Sequence, residues 1–366
     1  MTIQEISLEN FRNYTQFCAQ FDPNVNVIVG ANAQGKTNLL EAIAYLSSAA
    51  SHRARYDREL IRHDAGSARL RGSVTSRSRH LILEANLQRG VRRQLWSNGV
   101  KLKTAGELSG LFNTILFCPE DLYLIREGAE ARRRFLDSCI SQLRPKYAEA
   151  LAEYRRLREH KLSILKNSGE KPDLLDTLDD FSTQMAKWGA VLIHYRAHFI
   201  KRLRETAPAI HEACSGGERL ELQYKTVSTV TDPEAPTKTL FVRLLEHQKL
   251  HRQAEIDSKS CLSGPHKDDL EVFLDGSPAR IFASQGQTRT AALALKLAAR
   301  DIFFQETGEW PVLLLDDVLS ELDARRQEFV LNRITAGQVF ITCCEEEKLA
   351  LLSQGRALRI SGGTLQ

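Results

Sequence analysis

The sequence predicts an α/β fold built around a phosphate-binding loop, with a helical lobe inserted between its two halves. Near the N-terminus an apolar strand leads into a glycine-rich loop, and near the C-terminus another apolar strand ends in two carboxylates. Between them the chain changes to long stretches with helical spacing of apolar residues. We place the bounds at 1–112 with 215–366 for the α/β part, and at 113–214 for the helical lobe.

The glycine-rich loop has the pattern G-x-x-x-x-G-K-T after a predicted buried strand at 25–29. Glycines at both ends allow a tight turn whose N–H groups point at a bound phosphate, and the following helix directs its positive end there. Lys36 suits the β- and γ-phosphates, and the Thr37 hydroxyl suits Mg²⁺. The pattern predicts a nucleoside-triphosphate site, with a chance glycine turn as the alternative. Its residues are Gly30, Ala31, Asn32, Ala33, Gln34, Gly35, Lys36 and Thr37.

The first hundred residues are predicted to form strands around the helix that follows this loop. Residues 3–8 alternate like a half-buried strand, and residues 9–14 form a polar turn. Residues 81–87 and 91–96 flank a short hairpin turn, and Asn98-Gly99 has the signature of a second one.

The predicted helical lobe contains a seam of the coiled-coil type. Apolar side chains from residue 174 onward follow a 4-3-4-3 spacing over more than three heptads, and a helix at 145–165 is the predicted partner. We interpret the aromatic residues in this seam as core packing. The seam comprises Leu174, Leu178, Phe181, Met185, Trp188, Leu192, Tyr195 and Phe199.

Composition excludes several classes of protein. The chain has 366 residues, of which 42% are hydrophobic and 26% charged, as in ordinary globular proteins. There is no run of 18 apolar residues and no secretory N-terminal pattern, so we expect a cytoplasmic location without a membrane partner. The seven cysteines are odd in number and show no paired spacing, which argues against a disulfide framework or a zinc site.

Basic residues are concentrated between residues 51 and 110. This stretch has thirteen Lys and Arg residues against five Asp and Glu residues, in a chain whose net charge is only +4. Such a surface suits a phosphate backbone. Solvated strand faces are the alternative, and charge alone leaves both open.

The acidic strand end completes the predicted triphosphate site. Asp316 and Asp317 follow an apolar run at 312–315. In a protein with a phosphate loop, the first carboxylate holds Mg²⁺ and the second can orient the attacking water. We therefore predict Lys36, Asp316 and Asp317 as catalytic residues, and Thr37 and Asp316 as metal-binding residues. Two solvated carboxylates at a strand end are the alternative.

A helix start at residues 284–287, with the sequence Ser-Gln-Gly-Gln, adds a second phosphate-binding feature. Alone this helix start is better explained as a helix cap. However, the chain contains in this order the phosphate loop, the helical insertion, the Ser-Gln-Gly-Gln helix start, the acidic strand and Ser320-Glu321-Leu322-Asp323. That order of motifs resembles the ABC-type ATPase head in its SMC-like version. The resemblance implies that Ser284, Gly286 and Gln287 bind the γ-phosphate of ATP held by the opposite subunit. It also implies an ATP-dependent homodimer, with Ser320 and Asp323 along its seam.

Further motifs resemble the RecF family of bacterial recombination mediators over almost the whole chain. They are FRNY at 11–14, PEDL at 119–122, RRRFLD at 132–137, GPHKDD at 264–269 and ASQGQTR at 283–289. The resemblance implies a clamp with ATP and Mg²⁺ as cofactors, which binds double-stranded and gapped DNA at single-strand/duplex junctions. It further implies RecR and RecO as partners, and a role in loading RecA.

Two departures from the ABC-type pattern imply slow hydrolysis. Asp317 stands where the family usually has Glu, and Cys343 stands where it has a switch histidine. We therefore expect a weak, DNA-stimulated ATPase in which hydrolysis serves as a clamp switch. The family's Q-loop glutamine has no counterpart that we can place. His266 remains open between a buried structural histidine and a phosphate contact.

Two other functions are compatible with a phosphate loop. The ATPase subunit of an ABC transporter would need a membrane partner and would not bind DNA, and the helical insertion argues against it. A small-molecule kinase is disfavoured by the Ser-Gln-Gly-Gln helix start and by the absence of a lid-like substrate site.

Overall fold

A computed structural model describes residues 1–77, 79–344 and 355–366, which form two compact units. The first unit comprises Met1–Asp121 and Leu293–Gln366, and the second comprises Leu122–Ala292. No helix in these ranges is long and apolar enough to cross a membrane.

The first unit contains an antiparallel sheet of six strands, in the order β2-β1-β4-β5-β6-β7. Its strands are β1 (Thr2–Phe11), β2 (Tyr14–Gln20), β4 (Ser67–Ser76), β5 (Arg79–Gln88), β6 (Val91–Ser97) and β7 (Val100–Leu102). The two predicted hairpins are confirmed, with Asn98 and Gly99 both at positive φ between β6 and β7. The predicted polar turn at 9–14 is shorter than expected, because Phe11 and Tyr14 are buried and extend the flanking strands.

The second sheet of this unit is largely parallel, in the order β15-β14-β3-β13-β12-β8. Its strands are β3 (Val25–Val29), β8 (Thr114–Phe117), β12 (Val312–Leu315), β13 (Val339–Cys343), β14 (Arg356–Ser361) and β15 (Thr364–Leu365). β15 alone of these six runs antiparallel to its neighbour. The predicted apolar run at 312–315 is confirmed as a strand buried on both faces, which parallel sheets require.

Helix α1 (Lys36–Ser48) lies in the core between the two sheets. Its apolar residues Leu39, Leu40 and Ile43 are fully buried among side chains from both sheets. The prediction that strands surround the helix after the glycine-rich loop is confirmed. Two other helices contribute to this unit, the C-terminal part of α9 (Gln285–Thr307) and α10 (Ala324–Arg333).

The second unit is mainly helical but also contains a sheet of three strands, in the order β11-β10-β9. The strands are β9 (Leu220–Lys225), β10 (Asp269–Leu274) and β11 (Ser277–Pro278). The helices are α2 (Tyr123–Arg126), α3 (Ala129–Leu143), α4 (Pro145–Asn167), α5 (Leu178–Ser215), α6 (Thr237–Leu250), α7 (Arg252–Ser258), α8 (Ala279–Phe282) and the start of α9.

The predicted pairing of two long helices is confirmed, because α4 packs along α5. However, α5 is buried on more than the predicted seam. Ala186, Ala190 and Ile193 form a separate apolar cluster with α6. Helix α5 is therefore a central helix of this unit and not one half of a simple two-helix arm.

The compact units differ from the predicted domain bounds at residues 113–121, which belong to the first unit and not to the helical one, and over a longer stretch at residues 215–292. The prediction of 1–112 with 215–366 assigns residues 215–292 to the α/β part, whereas the structure places them in the unit that contains α4 and α5. The physical reason is that β9 packs on α5 and β10 packs on α3.

His266 of the GPHKDD motif has a structural role in this unit. Its Nδ1 lies 2.6 Å from the Tyr154 hydroxyl and its Nε2 lies 3.0 Å from the carbonyl oxygen of Cys261. Because the carbonyl oxygen can only accept, Nε2 carries the proton and Nδ1 accepts from the hydroxyl. Burial lowers the pKa of His266 to about 3. Of the two roles left open by the sequence, these contacts support the structural one.

This shifted pKa predicts a loss of stability in mild acid. The unfolded chain binds a proton at His266 near pH 6.5 and the folded chain does not, so stability should fall as the pH falls from 6.5 toward 3. Between pH 6.5 and pH 5, His266 should lower the free energy of unfolding by about 2 kcal/mol. Urea unfolding at both pH values should show a shallower dependence in His266→Gln, while His63→Gln, at an exposed histidine, should match the wild type. An unchanged pH dependence in His266→Gln would contradict this assignment.

Candidate nucleotide-binding site

The carboxyl ends of three neighbouring parallel strands bring the predicted site residues of the first unit together. β3 leads into the phosphate loop, β13 lies next to β3 in the sheet, and β12 on the far side of β13 is followed directly by Asp316. Ligands of open α/β sheets bind beyond such strand ends. Residues separated by some 280 positions in the chain therefore meet at one edge.

Thr37 and Asp316, the two predicted metal-binding residues, are in direct contact. The Thr37 hydroxyl donates to Oδ1 of Asp316 at 3.0 Å, and the Thr342 hydroxyl donates to the same oxygen at 2.8 Å. Asp316 is only 4% exposed, and burial raises its pKa. A buried carboxylate beside a hydroxyl is a pair of hard oxygen donors, which fits Mg²⁺.

Thr342 was not predicted as a site residue. Besides its bond to Asp316, its hydroxyl oxygen accepts the backbone N–H of Asp317 at 2.8 Å. It therefore orients both carboxylate residues from the adjacent strand. Only its position at the end of an apolar strand signals this role, and many buried threonines share that signal.

Lys36 lies folded over the phosphate loop. Its Nζ donates to the carbonyl oxygens of Gly30 at 2.6 Å and Ala31 at 2.9 Å. The Cys344 thiol lies 3.5 Å from the same nitrogen and 3.0 Å from Oδ1 of Asn32. The ammonium is thus held at the mouth of the loop, where an arriving phosphate would compete with these carbonyls for it.

The two glycines of the loop are required by different constraints. Gly35 has a φ of +117°, a backbone conformation that residues other than glycine rarely adopt. A Cβ at Gly30 would lie 2.4 Å from the carbonyl oxygen of Ile360. The loop therefore keeps its shape only with glycine at both positions.

The turn between β1 and β2 stabilises the phosphate loop through hydrogen bonds to its backbone carbonyl oxygens. Asn13 Nδ2 donates to the carbonyl oxygen of Gln34 at 3.0 Å, and the Tyr14 hydroxyl donates to that of Gly35 at 2.9 Å. Arg12 makes two bonds of 2.8 Å to the buried carboxylate of Glu41 on α1. These residues belong to the FRNY motif, which the sequence showed only as part of a family resemblance.

Asp317, the predicted catalytic base, is adjacent to Asp316 but is held differently. Its φ of 53° is in the left-handed region, and the Ser320 hydroxyl donates to its Oδ1 at 2.7 Å. Asp323 caps α10 by accepting the backbone N–H of Arg326 at 2.9 Å. The predicted seam residues Ser320 and Asp323 thus both make bonds within their own chain.

The predicted signature residues lie in the second unit, at the start of α9. The Ser284 N–H donates to Oε1 of Gln287 at 2.8 Å, and the Gln287 N–H donates to the Ser284 hydroxyl oxygen at 3.2 Å. The carbonyl oxygen of Gly286 accepts from Thr290 at 2.9 Å. The turn therefore has a complete capping box, with Ser284 exposed at the helix start.

The basic stretch is partly neutralised within the first unit. Arg62, Arg69 and Arg93 form ion pairs with neighbouring carboxylates. In the loop between α1 and β4, the guanidinium carbons of Arg55 and Arg58 lie 5.3 and 4.7 Å from the ring centroid of Tyr56. Neither of these two forms an ion pair with a carboxylate of the described residues, so they present two positive charges beside an exposed aromatic ring.

Fold and site together define an ABC-type P-loop ATPase head of the SMC-like class. The family model described as the RecF/RecN/SMC N-terminal domain matches residues 2–360. The chain belongs to the RecF family. The DNA replication and repair protein RecF of Clostridium perfringens (strain SM101 / Type A) is 38% identical over 368 residues, covering all of both chains. RecF of Bacillus cereus (strain B4264) is 38% identical over 373 residues, covering all of this chain and 98% of that protein.

Solved structures agree with this assignment. The RecF–ATPrS structure of the RecFOR pathway has a TM-score of 0.91 at 34% identity, covering all of this chain and 97% of that chain. The RecF–ATP structure of the same pathway has a TM-score of 0.88 at 35% identity, covering all of this chain and 96% of that chain. The Smc head domain of Pyrococcus furiosus bound to the C-terminal domain of ScpA shares the fold, with a TM-score of 0.55 at 16% identity, covering all of this chain and 95% of that chain.

Proposed function

We propose that this protein is an ATP-dependent DNA clamp that acts as a recombination mediator in DNA repair and replication restart. The observation that carries the proposal is the bond from Thr37 to Asp316, which joins the phosphate loop to the acidic strand in a chain related to RecF over its full length. The full-length relatives and the RecF–ATP structure do not favour a transporter ATPase subunit.

The site residues of the first unit have separate roles in binding and hydrolysing ATP. Lys36 moves from the carbonyl oxygens of the loop to the β- and γ-phosphates, which offer it full negative charges. Thr37 and Asp316 would hold Mg²⁺, which would supply the positive charge that stabilises the transferred phosphoryl group. Asp317 orients the attacking water, but its carboxylate is short and already bonded to Ser320. Hydrolysis is therefore slow, and ATP serves mainly as a clamp switch.

The residues of the signature turn act on ATP bound by a second copy. Ser284 offers its hydroxyl hydrogen and Gly286 offers a helix N-terminal N–H group, both of which suit a γ-phosphate, while Gln287 holds the turn through the capping box. Two copies thus close around two ATP molecules. We propose RecR and RecO as partners and RecA loading at gaps as the outcome, which is in keeping with the RecFOR pathway named for the related structures.

The basic stretch is the proposed contact with double-stranded DNA at gaps and junctions. Arg55 and Arg58 are the leading candidates, because they are exposed and form no ion pair with a carboxylate of the described residues. Arg69 differs because Glu84 holds it at 2.6 Å.

We expect the double variant Arg55→Ala/Arg58→Ala to weaken binding to gapped duplex DNA about tenfold in the presence of ATP. The plot of log affinity against log salt should become shallower by about 2, since two phosphate contacts are lost. Arg69→Ala is the matched control and should change both quantities little. Fluorescence anisotropy at several salt concentrations would measure them. Wild-type affinity in the double variant would exclude this loop, and no DNA affinity in the wild type would exclude the proposed function.

A further inference from the structure

The signature turn depends on a carboxylate outside its own motif. Within the turn, Oε1 of Gln287 accepts the backbone N–H of Ser284. The amide nitrogen of the same side chain, Nε2, donates to Oε1 of Glu218 at 2.8 Å. Glu218 precedes Ser284 by more than sixty positions and belongs to the connection between α5 and β9.

Glu218 is anchored through its backbone and lies beside a buried histidine. Its backbone N–H donates to the hydroxyl oxygen of Ser215, the last residue of α5, at 3.1 Å. Its second carboxylate oxygen, Oε2, lies 3.3 Å from Nε2 of His211, a fully buried side chain of α5. Glu218 therefore connects the end of α5, through its backbone, to the start of α9, through its carboxylate.

The chemistry of this contact sets the orientation of the Gln287 amide. A carboxylate only accepts hydrogen bonds, so it selects the NH₂ end of the amide and leaves the carbonyl end facing Ser284. If the amide were reversed, its NH₂ group would face the Ser284 N–H and the capping box would be lost. As long as Glu218 is present, the Gln287 amide therefore has only the orientation that completes the capping box.

We propose that Glu218 is a positioning residue for the signature turn, which keeps Ser284 and Gly286 arranged for the triphosphate of a second copy. This inference rests on the proposed ATP-dependent dimer for its functional consequence. The positioning itself can be tested in the single chain.

The first test is amide hydrogen exchange of peptides covering residues 279–290, without nucleotide. Glu218→Ala should accelerate exchange there about tenfold, since a charged acceptor is removed from a partly buried bond. Glu218→Gln keeps a carbonyl oxygen for Nε2 and should stay close to the wild type. Glu221→Ala, at a nearby carboxylate on β9, is the matched control. Unchanged exchange at 279–290 in Glu218→Ala would overturn the proposal.

The second test separates ATP binding from dimerisation. With Mg-ATP, Glu218→Ala should need about tenfold more protein than the wild type to form dimers, while each monomer binds ATP with wild-type affinity. Glu218→Gln should restore dimerisation. Wild-type dimerisation by Glu218→Ala would overturn the proposal. If the wild type itself stays monomeric with ATP, the proposed clamp fails, and the exchange rates at 279–290 still decide the role of Glu218.

Discussion

Replacing Lys36 with arginine should leave some ATP binding but slow hydrolysis about a hundredfold, an effect of the size seen when one transition-state donor is removed. The ammonium of Lys36 fits between two loop carbonyl oxygens at 2.6 and 2.9 Å. A guanidinium is planar and larger, so it keeps the positive charge but not this position. The affinity for ATP should therefore fall far less than the hydrolysis rate.

Single-turnover hydrolysis and equilibrium ATP binding would measure the two effects separately. Lys101→Arg is the matched control, since Lys101 is exposed on β7 in the same unit. Hydrolysis by Lys36→Arg at the wild-type rate would show that the active site has been placed incorrectly.

Replacing Asp316 with asparagine should reduce hydrolysis by at least about a hundredfold, because loss of the metal removes several kcal/mol of charge stabilisation. The asparagine side chain can still accept the hydroxyls of Thr37 and Thr342, so the strand end should keep its structure. The defect should therefore appear in Mg²⁺-dependent ATP binding and in turnover, and not in folding.

The Asp316 prediction has a matched control and a clear contrary result. Asp301→Asn changes a carboxylate on α9 that pairs with Arg333 at the surface, and it should hydrolyse ATP normally. Equal melting temperatures for Asp316→Asn and the wild type would show that the fold is intact. If Asp316→Asn then bound Mg-ATP and hydrolysed it as the wild type does, Asp316 would not be a metal ligand.

The sequence predicted the parts of the site that depend on local pattern. A strand, a glycine loop and a helix follow one another directly at residues 25–48, so periodicity and glycine spacing identify them. The acidic strand end was equally local. That these segments would meet followed from the role of such an acidic strand in proteins with a phosphate loop, where its first carboxylate holds Mg²⁺ beside the triphosphate.

The supporting contacts could not be predicted, because they depend on strand register and on packing. Asn13 reaches the carbonyl oxygen of Gln34 only because the hairpin of β1 and β2 places its turn beneath the loop. The contact of Thr342 with Asp316 needs β13 beside β12, and that of Glu218 with Gln287 needs the loop after α5 beside the start of α9. The central position of α5 was hidden for the same reason, since its seam is apolar enough to predict one partner but not several.

The most direct test of the proposed clamp is the solution mass with Mg-ATP and without nucleotide, for the wild type and for Ser284→Arg. Each sample would be repeated with gapped duplex DNA. We predict that ATP doubles the mass of the wild type, while Ser284→Arg binds ATP but stays monomeric, because a bulky cation fills the helix start that faces the second copy. A wild-type mass that ATP leaves unchanged, even with DNA present, would contradict the ATP-dependent dimer and leave a monomeric P-loop enzyme.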